Sequence, residues 1–320
     1  MSPTSRAVGL ALAVLCWTGM ARAAPATATF VMIPKSSSPY YKPCYEGFEA
    51  AGAKYGIDVR RTDPERADAA VQSEVIRKAV AQHVDGIAIS AVDDAGLVEA
   101  IGAAARAGVP VITFDSPAPS SAALSYIGTD NRTAGLEAAK RLAAAAKGNG
   151  RVLVLQGGMA AANLNQRTQG FRDGLARFAS GMKVLDVVDI TGDAAAAGTR
   201  VEAALRQHPD ATAVFSVSSA GTPAAVVALE RQGRTGKVVV AGFDDLPATL
   251  DGIRKGAVSF CVVQKTFKMG WLAVRALLLA AAGRKPAQVV DTGVVFVTSA
   301  NLDTYVEEMR SEVTRKPAGK

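Results

Sequence analysis

The chain has 320 residues, a length that accommodates two globular units of ordinary size more readily than one. It is 49% hydrophobic and 20% charged, which is too apolar for a disordered chain. Its formal charge of +7 comes from scattered Lys and Arg residues, so no basic patch supports a nucleic-acid partner.

The first 23 residues have the pattern of an export signal. Arg6 is followed by the apolar stretch 7–20, and Ala21-Arg22-Ala23 is a small-x-small cleavage site. The apolar stretch is too short for a membrane-spanning helix. We therefore expect a mature periplasmic protein that begins at Ala24 and carries a net charge of +5, because two arginines are removed.

From residue 29 onward, short apolar and β-branched runs alternate with alanine-rich helical segments. Runs this apolar are typical of parallel strands that are covered by helices on both faces. The alternation therefore predicts a doubly wound α/β architecture. The predicted strands are residues 29–33, 57–61, 86–90, 109–114, 124–127, 152–155, 184–190, 213–217, 238–243, 258–263 and 294–297.

The strand-helix pattern occurs twice along the chain. One predicted strand ends in Phe114-Asp115, and a strand in the second half ends in Phe243-Asp244. We interpret the two halves as two similar open sheets that face one another. Because open α/β sheets bind ligands outside the carboxyl ends of their strands, the cleft between the sheets is the predicted site.

Catalytic motifs are scarce in this sequence. The two histidines, His83 and His208, are interpreted as surface residues without neighbours at metal-ligand spacing. The GxSxG and GxxxxGK[ST] patterns are absent, and Gln156-Gly157-Gly158 is a weak candidate for a phosphate loop. A Ser-His-Asp site assembled in space stays open from spacing alone. We predict a binding protein without catalytic residues, metal or cofactor.

Two groups of residues are candidates for binding a polyhydroxylated ligand. Asp115 and Asp244 can accept hydrogen bonds from vicinal hydroxyls, although capping of a helix or turn is the alternative role. Ser38, Tyr40 and Tyr41 follow the first strand in the stretch SSSPYY. Packing in the core is the alternative role of the tyrosine rings. We expect at least one of them to face the cleft, where its flat apolar face would pack on a sugar ring.

Nine motifs in this order resemble the ribose-binding-protein branch of the periplasmic type I solute-binding proteins. The resemblance runs from about residue 29 to residue 305 and implies two parallel-sheet lobes that are joined by a three-crossover hinge. The motifs are SPYYKPCYEGF, VDGIAISAVD, GVPVITFDS, YIGTDNRTAG, NLNQRTQGF, HPDATAVFSVSS, VVVAGFDD, VVQKTFKMGWLAV and VVFVTSANLDTY.

The resemblance also implies the boundaries of the lobes. It places the crossovers at Thr129-Asp130, Gln264-Lys265 and Val289-Val290. The implied N-terminal lobe comprises residues 24–129 and 265–290, and the C-terminal lobe comprises residues 130–264 and 291–320. The two cysteines after the signal, Cys44 and Cys261, then fall in different lobes, and we expect both to be free thiols.

The family's ligand contacts correspond to a set of residues in both lobes and at the hinge. Several of these positions carry shorter side chains than in the ribose binders, so we expect a roomier and less cationic pocket and a ligand other than ribose. The implied contacts are Ser38, Tyr40, Tyr41, Asp115, Asp244 and Gln264. The positions that depart from the ribose binders are Asn165 and Ser116, which stand where Arg is common, Ser90 and Ser218, which replace Asn, and Gly192, which replaces an aromatic residue.

The implied partners are a small sugar or polyol and the permease subunits of an ABC transporter in the inner membrane, with the protein itself a monomer. Lactose-repressor-type regulators share this clamp but carry a DNA-binding helix-turn-helix of about 60 residues, for which we expect no room before residue 29. A periplasmic sensor that presents a bound sugar to a chemoreceptor or histidine kinase is the alternative.

Overall fold

A computed structural model describes residues 27–314, so the predicted signal segment lies outside the described residues. Within this range, no helix is long and apolar enough to cross a membrane. The strands are β1 Thr29–Ile33, β2 Asp58–Arg61, β3 Gly86–Ile89, β4 Val111–Phe114, β5 Tyr126–Gly128, β6 Asn149–Gln156, β7 Gly181–Asp189, β8 Ala213–Ser216, β9 Val239–Phe243, β10 Phe260–Gln264, β11 Val289–Asp291 and β12 Val294–Val297. The helices are α1 Lys42–Tyr55, α2 Ala69–Ala81, α3 Val98–Arg106, α4 Asn131–Ala145, α5 Ala162–Phe178, α6 Ala194–Gln207, α7 Gly221–Arg231, α8 Pro247–Arg254, α9 Thr266–Ala281 and α10 Leu302–Thr314.

The strands form two six-stranded sheets, one in each lobe. The first sheet has the order β11-β5-β4-β3-β1-β2, and the second has the order β12-β10-β9-β8-β6-β7. The paired strands run parallel, except that β12 is antiparallel to β10. The predicted fold class, two doubly wound parallel-sheet lobes, is confirmed.

Alternate residues of the central strands explain why helices cover both faces of each sheet. In β1, Phe30 and Met32 pack with residues of α1 and α9, whereas Val31 and Ile33 pack with residues of α2 and α3. The central strand β6 repeats this arrangement, with α4 and α5 on one face and α6 and α7 on the other. The continuous apolar runs of the sequence therefore correspond to strands that are buried on both sides.

One helix pair in each lobe packs closely through glycine. A Cβ atom at Gly270 of α9 would overlap the backbone carbonyl of Cys44 in α1. In the second lobe, a Cβ atom at Gly135 of α4 would overlap the backbone carbonyl of Arg167 in α5. The second contact fixes α5 against α4 at the turn that carries Arg167, next to the first crossover.

The chain crosses between the lobes three times. It passes from β5 of the first sheet into α4 of the second lobe, and from β10 of the second sheet back into α9. The third crossing follows β11, because Asp291 still pairs with Gly128 of the first sheet and β12 begins only at Val294. The third crossing therefore lies at Thr292-Gly293. The predicted position, Val289-Val290, is wrong because the sequence did not reveal the short edge strand β11.

The two cysteines lie in different lobes. Cys44 belongs to α1 of the first lobe and Cys261 to β10 of the second, and both are buried free thiols. Burial raises the pKa of both thiols, so that both stay protonated at neutral pH.

Candidate functional site

Two aspartates occupy corresponding positions in the two lobes. Asp115 follows β4 and Asp244 follows β9, each at the carboxyl end of its sheet. Both residues have a left-handed backbone conformation, with φ of 57° and 69°, which is costly for a residue other than glycine. Their side chains are buried, at 2% and 4% exposed. Both carboxylates raise the pKa of Lys35, and Asp115 also raises the pKa of Asp244. The structure brings the two predicted carboxylates together.

Three hydroxyl groups of the first lobe hold the Asp115 carboxylate. Tyr40 Oη donates to Oδ1 at 2.8 Å, and Tyr41 Oη donates to Oδ2 at 3.1 Å. Ser90 Oγ donates to Oδ2 at 2.6 Å. Ser38 shapes the loop by accepting the backbone N–H of Tyr40 at 3.4 Å. Because a carboxylate accepts about four hydrogen bonds, Asp115 retains capacity for a ligand hydroxyl.

The two tyrosines of the first loop have different positions. Tyr41 is buried, packs edge-on against Phe114 and holds Asp115 through its hydroxyl group. Tyr40 is partly exposed, so its ring is the one that a ligand can contact. Burial raises the pKa of both phenols, and both therefore remain neutral hydrogen-bond donors.

The second aspartate is held from the hinge. Gln264, the last residue of β10, donates from Nε2 to Asp244 Oδ1 at 2.9 Å. Its Oε1 accepts hydrogen bonds from Arg167 Nη2 at 2.6 Å and from Thr129 Oγ1 at 3.0 Å. Burial raises the pKa of Asp244 to about 7, although Arg167 and the Gln264 hydrogen bond act in the opposite direction. A hinge residue thus connects both lobes to this carboxylate.

Arg167 is a buried cation of the site that the sequence prediction missed. It is 1% exposed and its guanidinium lies over the Phe243 ring, 4.1 Å from the ring centroid. Nε donates to Asn131 Oδ1 at 2.8 Å, and Nη1 donates to the carbonyl oxygen of Val217 at 3.0 Å. The motif NLNQRTQGF contains this arginine, so the sequence did hold the signal.

Asn165, which the sequence prediction placed at the ligand, lies on the exposed side of α5. Its side chain is exposed, accepting from Gln156 Nε2 at 2.7 Å and donating to the carbonyl oxygen of Met159 at 2.9 Å. Two residues along an α-helix rotate a side chain by about 200°. Since Arg167 faces the interior, Asn165 points away from it, and the role of Asn165 at the ligand stays a prediction.

Lys35 and Asn163 connect the lobes across the cleft. Lys35 follows β1 of the first lobe, and its Nζ donates to Oδ1 of Asn163, at the start of α5, at 3.0 Å. Ser116 Oγ donates to the same oxygen at 3.1 Å. Burial lowers the pKa of Lys35 to about 8, against the opposing influence of Asp115. Lys35 thus supplies a cation from a loop that the expectation of a less cationic pocket did not consider.

The remaining predicted residues lie at the margins of the cleft or in the hinge. The Oγ of Ser218, after β8, is buried without a hydrogen-bond partner among the described residues. Gly192 lies in an exposed turn after β7. Asp130 caps α4 through its side chain, and Lys265 precedes α9 with an exposed side chain.

The sequence profile of the periplasmic binding protein domain family matches residues 29–285, which include both aspartates and two of the three crossovers. The chain is a periplasmic binding protein. Among curated relatives of this periplasmic binding protein is the D-ribose/D-allose-binding protein of Pseudomonas aeruginosa. The two are 28% identical over 72% of this chain and 75% of the relative.

Solved structures extend the similarity to nearly the whole fold. An ABC transporter solute-binding protein from Burkholderia graminis in complex with D-arabinose is 35% identical, with a TM-score of 0.83, over 87% of this chain and 97% of that chain. XylFII in a XylFII-LytSN complex is 26% identical, with a TM-score of 0.80, over 86% of this chain and 99% of that chain. The Pseudomonas aeruginosa and Burkholderia graminis relatives are named as binding proteins, and as a member of the same family this chain is a binding protein and not an enzyme. Among residues 27–314, no group of three or more His, Cys, Asp or Glu residues could hold a metal ion.

Proposed function

We propose that this protein binds a sugar or sugar-like polyol between its lobes and presents it to the permease of an ABC transporter in the periplasm. The observation that carries the proposal is the pair Asp115 and Asp244, buried at the carboxyl ends of two facing sheets. Ionised carboxylates are strong acceptors for hydroxyl groups. A relative named for binding D-ribose and D-allose, and another whose structure was solved in complex with D-arabinose, support a ligand of this class.

In this proposal the two lobes act as a clamp. Lys35 bonds Asn163 across the cleft, a contact that supports assigning this structure to the closed state of the clamp. A ligand that contacts both lobes stabilises this state only and shifts the open-closed equilibrium towards it. The permease would then recognise the closed form. The first lobe would comprise residues 24–129 and 265–291, and the second the rest of the mature chain.

The first lobe would supply the apolar contact with the ligand. Tyr40 presents a partly exposed ring beside Asp115, an arrangement suited to the C–H face of a sugar whose hydroxyl donates to the carboxylate. Gly192 brings no side chain from the second lobe. A sugar larger or more substituted than ribose therefore fits the proposal better than ribose itself.

A sensor is the second candidate function. The observation that favours it is the relative XylFII, whose structure was solved in a complex with LytSN. A binding protein in such a role would present its closed form to a chemoreceptor or a histidine kinase. The two functions differ in the partner, so uptake of labelled ligand by cells with and without the gene separates them: loss of uptake supports transport, and unchanged uptake supports sensing.

A thermal-shift screen of the mature protein tests the proposed function. The screen covers pentoses, hexoses, sugar acids, polyols and small oligosaccharides, and calorimetry then measures affinity. A ligand present at 100 times its dissociation constant adds about 2.7 kcal/mol to the free energy of unfolding. Stabilisation by a member of this set, recovered chemically unchanged, is the expected result. Stabilisation by none of them, or recovery of an altered ligand, would contradict the proposal.

A further inference from the structure

The cleft contains two chemically different groups of side chains. Asp115 and Asp244 are acceptors, which suits hydroxyl groups. Lys35, Ser116 and Asn163 form a second group, the donor cluster, in which Lys35 Nζ and Ser116 Oγ both donate to Asn163 Oδ1. An ammonium group has three N–H donors, and Lys35 uses one of them in this contact. The donor cluster therefore offers donors to a ligand.

The start of α5 adds to this donor cluster. Asn163 is the second residue of Ala162–Phe178, and its Oδ1, which accepts from Lys35, also accepts the backbone N–H of Leu164 at 3.0 Å in the first turn of the helix. The positive end of the helix dipole and the ammonium charge act on the same side of the cleft. The helix terminus alone would not define a site, but here it accompanies a charged side chain that reaches it from the other lobe.

The groups that hydrogen-bond Lys35, Asp115 and Asp244 are neutral. Lys35 bonds an amide oxygen, whereas Asp115 is held by hydroxyls and Asp244 by the amide of Gln264. Burial lowers the pKa of Lys35 to about 8, with Arg167 acting in the same direction, so Asp115 and Asp244, which raise this pKa, compensate the ammonium charge only in part. An anionic group placed next to Lys35 and Asn163 would complete that compensation, because charge-assisted hydrogen bonds are the strong ones.

We infer that the ligand carries a carboxylate, which Lys35 and Asn163 bind while Asp115 and Asp244 bind its hydroxyls. The ligand class is then a sugar acid, either a uronate or an aldonate. A sugar phosphate fits less well, because two negative charges would face one ammonium and lie close to two carboxylates. This inference rests on the proposed function and narrows its ligand.

Calorimetric titrations with matched ligand pairs test the inference. D-Galactose is compared with D-galacturonate, D-glucose with D-glucuronate, D-arabinose with D-arabinonate, and D-glucose 6-phosphate is added as a further probe. At least one acid should bind about tenfold or more tightly than its neutral partner, since a charge-assisted bond is worth about 1.5 to 3 kcal/mol.

Variants of Lys35 assign the effect to this residue. Lys35→Met removes the charge at similar length and should weaken binding of the acid about tenfold or more, while the neutral partner changes by less than about threefold. Lys35→Arg should retain most of the acid's affinity. Lys183→Met, at an exposed lysine of β7, is the matched control and should change neither ligand.

The pH dependence gives a second readout. The charged and titratable groups that act on Lys35 are Asp115, Asp244 and Arg167. As pH rises from 7 to 10, Lys35 loses its proton, and the preference for the acid over its neutral partner should fall with it. The neutral partner serves as the internal reference, because ionisation of Asp244 affects both ligands.

The possible outcomes separate this inference from the proposed function. Neutral sugars that bind at least as tightly as every acid would overturn the ligand class and leave sugar binding intact. Acid binding that Lys35→Met does not weaken would overturn the assignment of Lys35. Tighter binding of glucose 6-phosphate than of all the carboxylates would also overturn the inference. Binding of no member of the panel would contradict the proposed function and the inference with it.

Discussion

Replacing Asp244 with asparagine should stabilise the ligand-free protein above neutral pH and remove most of its ligand affinity. The substitution keeps the side-chain size and the oxygen that accepts from Gln264 Nε2 at 2.9 Å, but it removes the charge. Asp244 is 4% exposed, so its ionisation in the folded protein is costly. The same charge is the acceptor that the proposed ligand needs.

The magnitude of the stability effect follows from the pKa of Asp244. Burial raises it from 3.8 to about 7. Because the folded pKa lies above the unfolded value, the unfolded chain loses this proton first, and stability falls as pH rises towards 7. One pKa unit corresponds to about 1.4 kcal/mol, so the wild-type protein should lose about 2 to 3 kcal/mol between pH 5 and pH 8 through this group. Asp244→Asn lacks this loss.

The affinity effect has the opposite sign. In the bound state, ligand hydroxyls donate to the ionised carboxylate, and an amide oxygen replaces that charge poorly. The loss of a hydrogen bond to a charged group costs about 1.5 to 3 kcal/mol, which is about tenfold to more than a hundredfold in affinity. The variant should therefore be more stable and less active than the wild-type protein at pH 8.

Urea unfolding at pH 5 and pH 8, together with calorimetric titration at pH 8, measures both effects. Asp303→Asn changes an exposed aspartate of α10 in the same lobe and is the control for charge alone. If the wild-type protein and Asp244→Asn lose equal stability between the two pH values, the buried carboxylate does not titrate as described. Undiminished ligand affinity would remove Asp244 from the site.

Two further predictions concern the residues around the cleft and the helix packing. Arg167→Lys should lower the free energy of unfolding by about 1 to 3 kcal/mol and weaken binding, because a single ammonium nitrogen cannot reach the three acceptors that the planar guanidinium contacts through three separate nitrogens. Asn165→Ala should leave affinity within about twofold in calorimetry, because Asn165 is exposed. Gly270→Ala should lower the free energy of unfolding by about 3 kcal/mol or more, because the added Cβ would overlap the Cys44 carbonyl. Gly198→Ala in α6, where a Cβ has open space, should raise the free energy of unfolding by about 0.5 to 1 kcal/mol. Equal effects within either pair would contradict the packing described.

The fold was predictable because its signal is local. Each buried strand is a continuous apolar run, and the Phe-Asp endings at Asp115 and Asp244 mark the two carboxyl edges. The strand β11 escaped prediction because it has three residues, and an edge strand needs few apolar contacts: Val289 is 64% exposed. The third crossover was therefore placed too early.

The site was less predictable because it depends on contacts between distant residues. The motif around Arg167 did not fix the rotation of α5, so Asn165 was chosen two positions away, on the exposed side. Lys35 gave no signal, since a lysine in a polar loop is typical of a solvated surface. Its partner Asn163 lies 128 residues further along the chain, and only the arrangement of the two lobes brings the two side chains together.

Small-angle X-ray scattering with and without a saturating ligand tests the clamp most directly. The contact from Lys35 Nζ to Asn163 Oδ1, at 3.0 Å, joins the two lobes, and a ligand that bridges Asp115 and Asp244 should favour the state in which the lobes are joined. The clamp predicts a radius of gyration that falls on saturation, with the ligand recovered unchanged. A radius of gyration that stays constant at saturation would contradict closure as the basis of function.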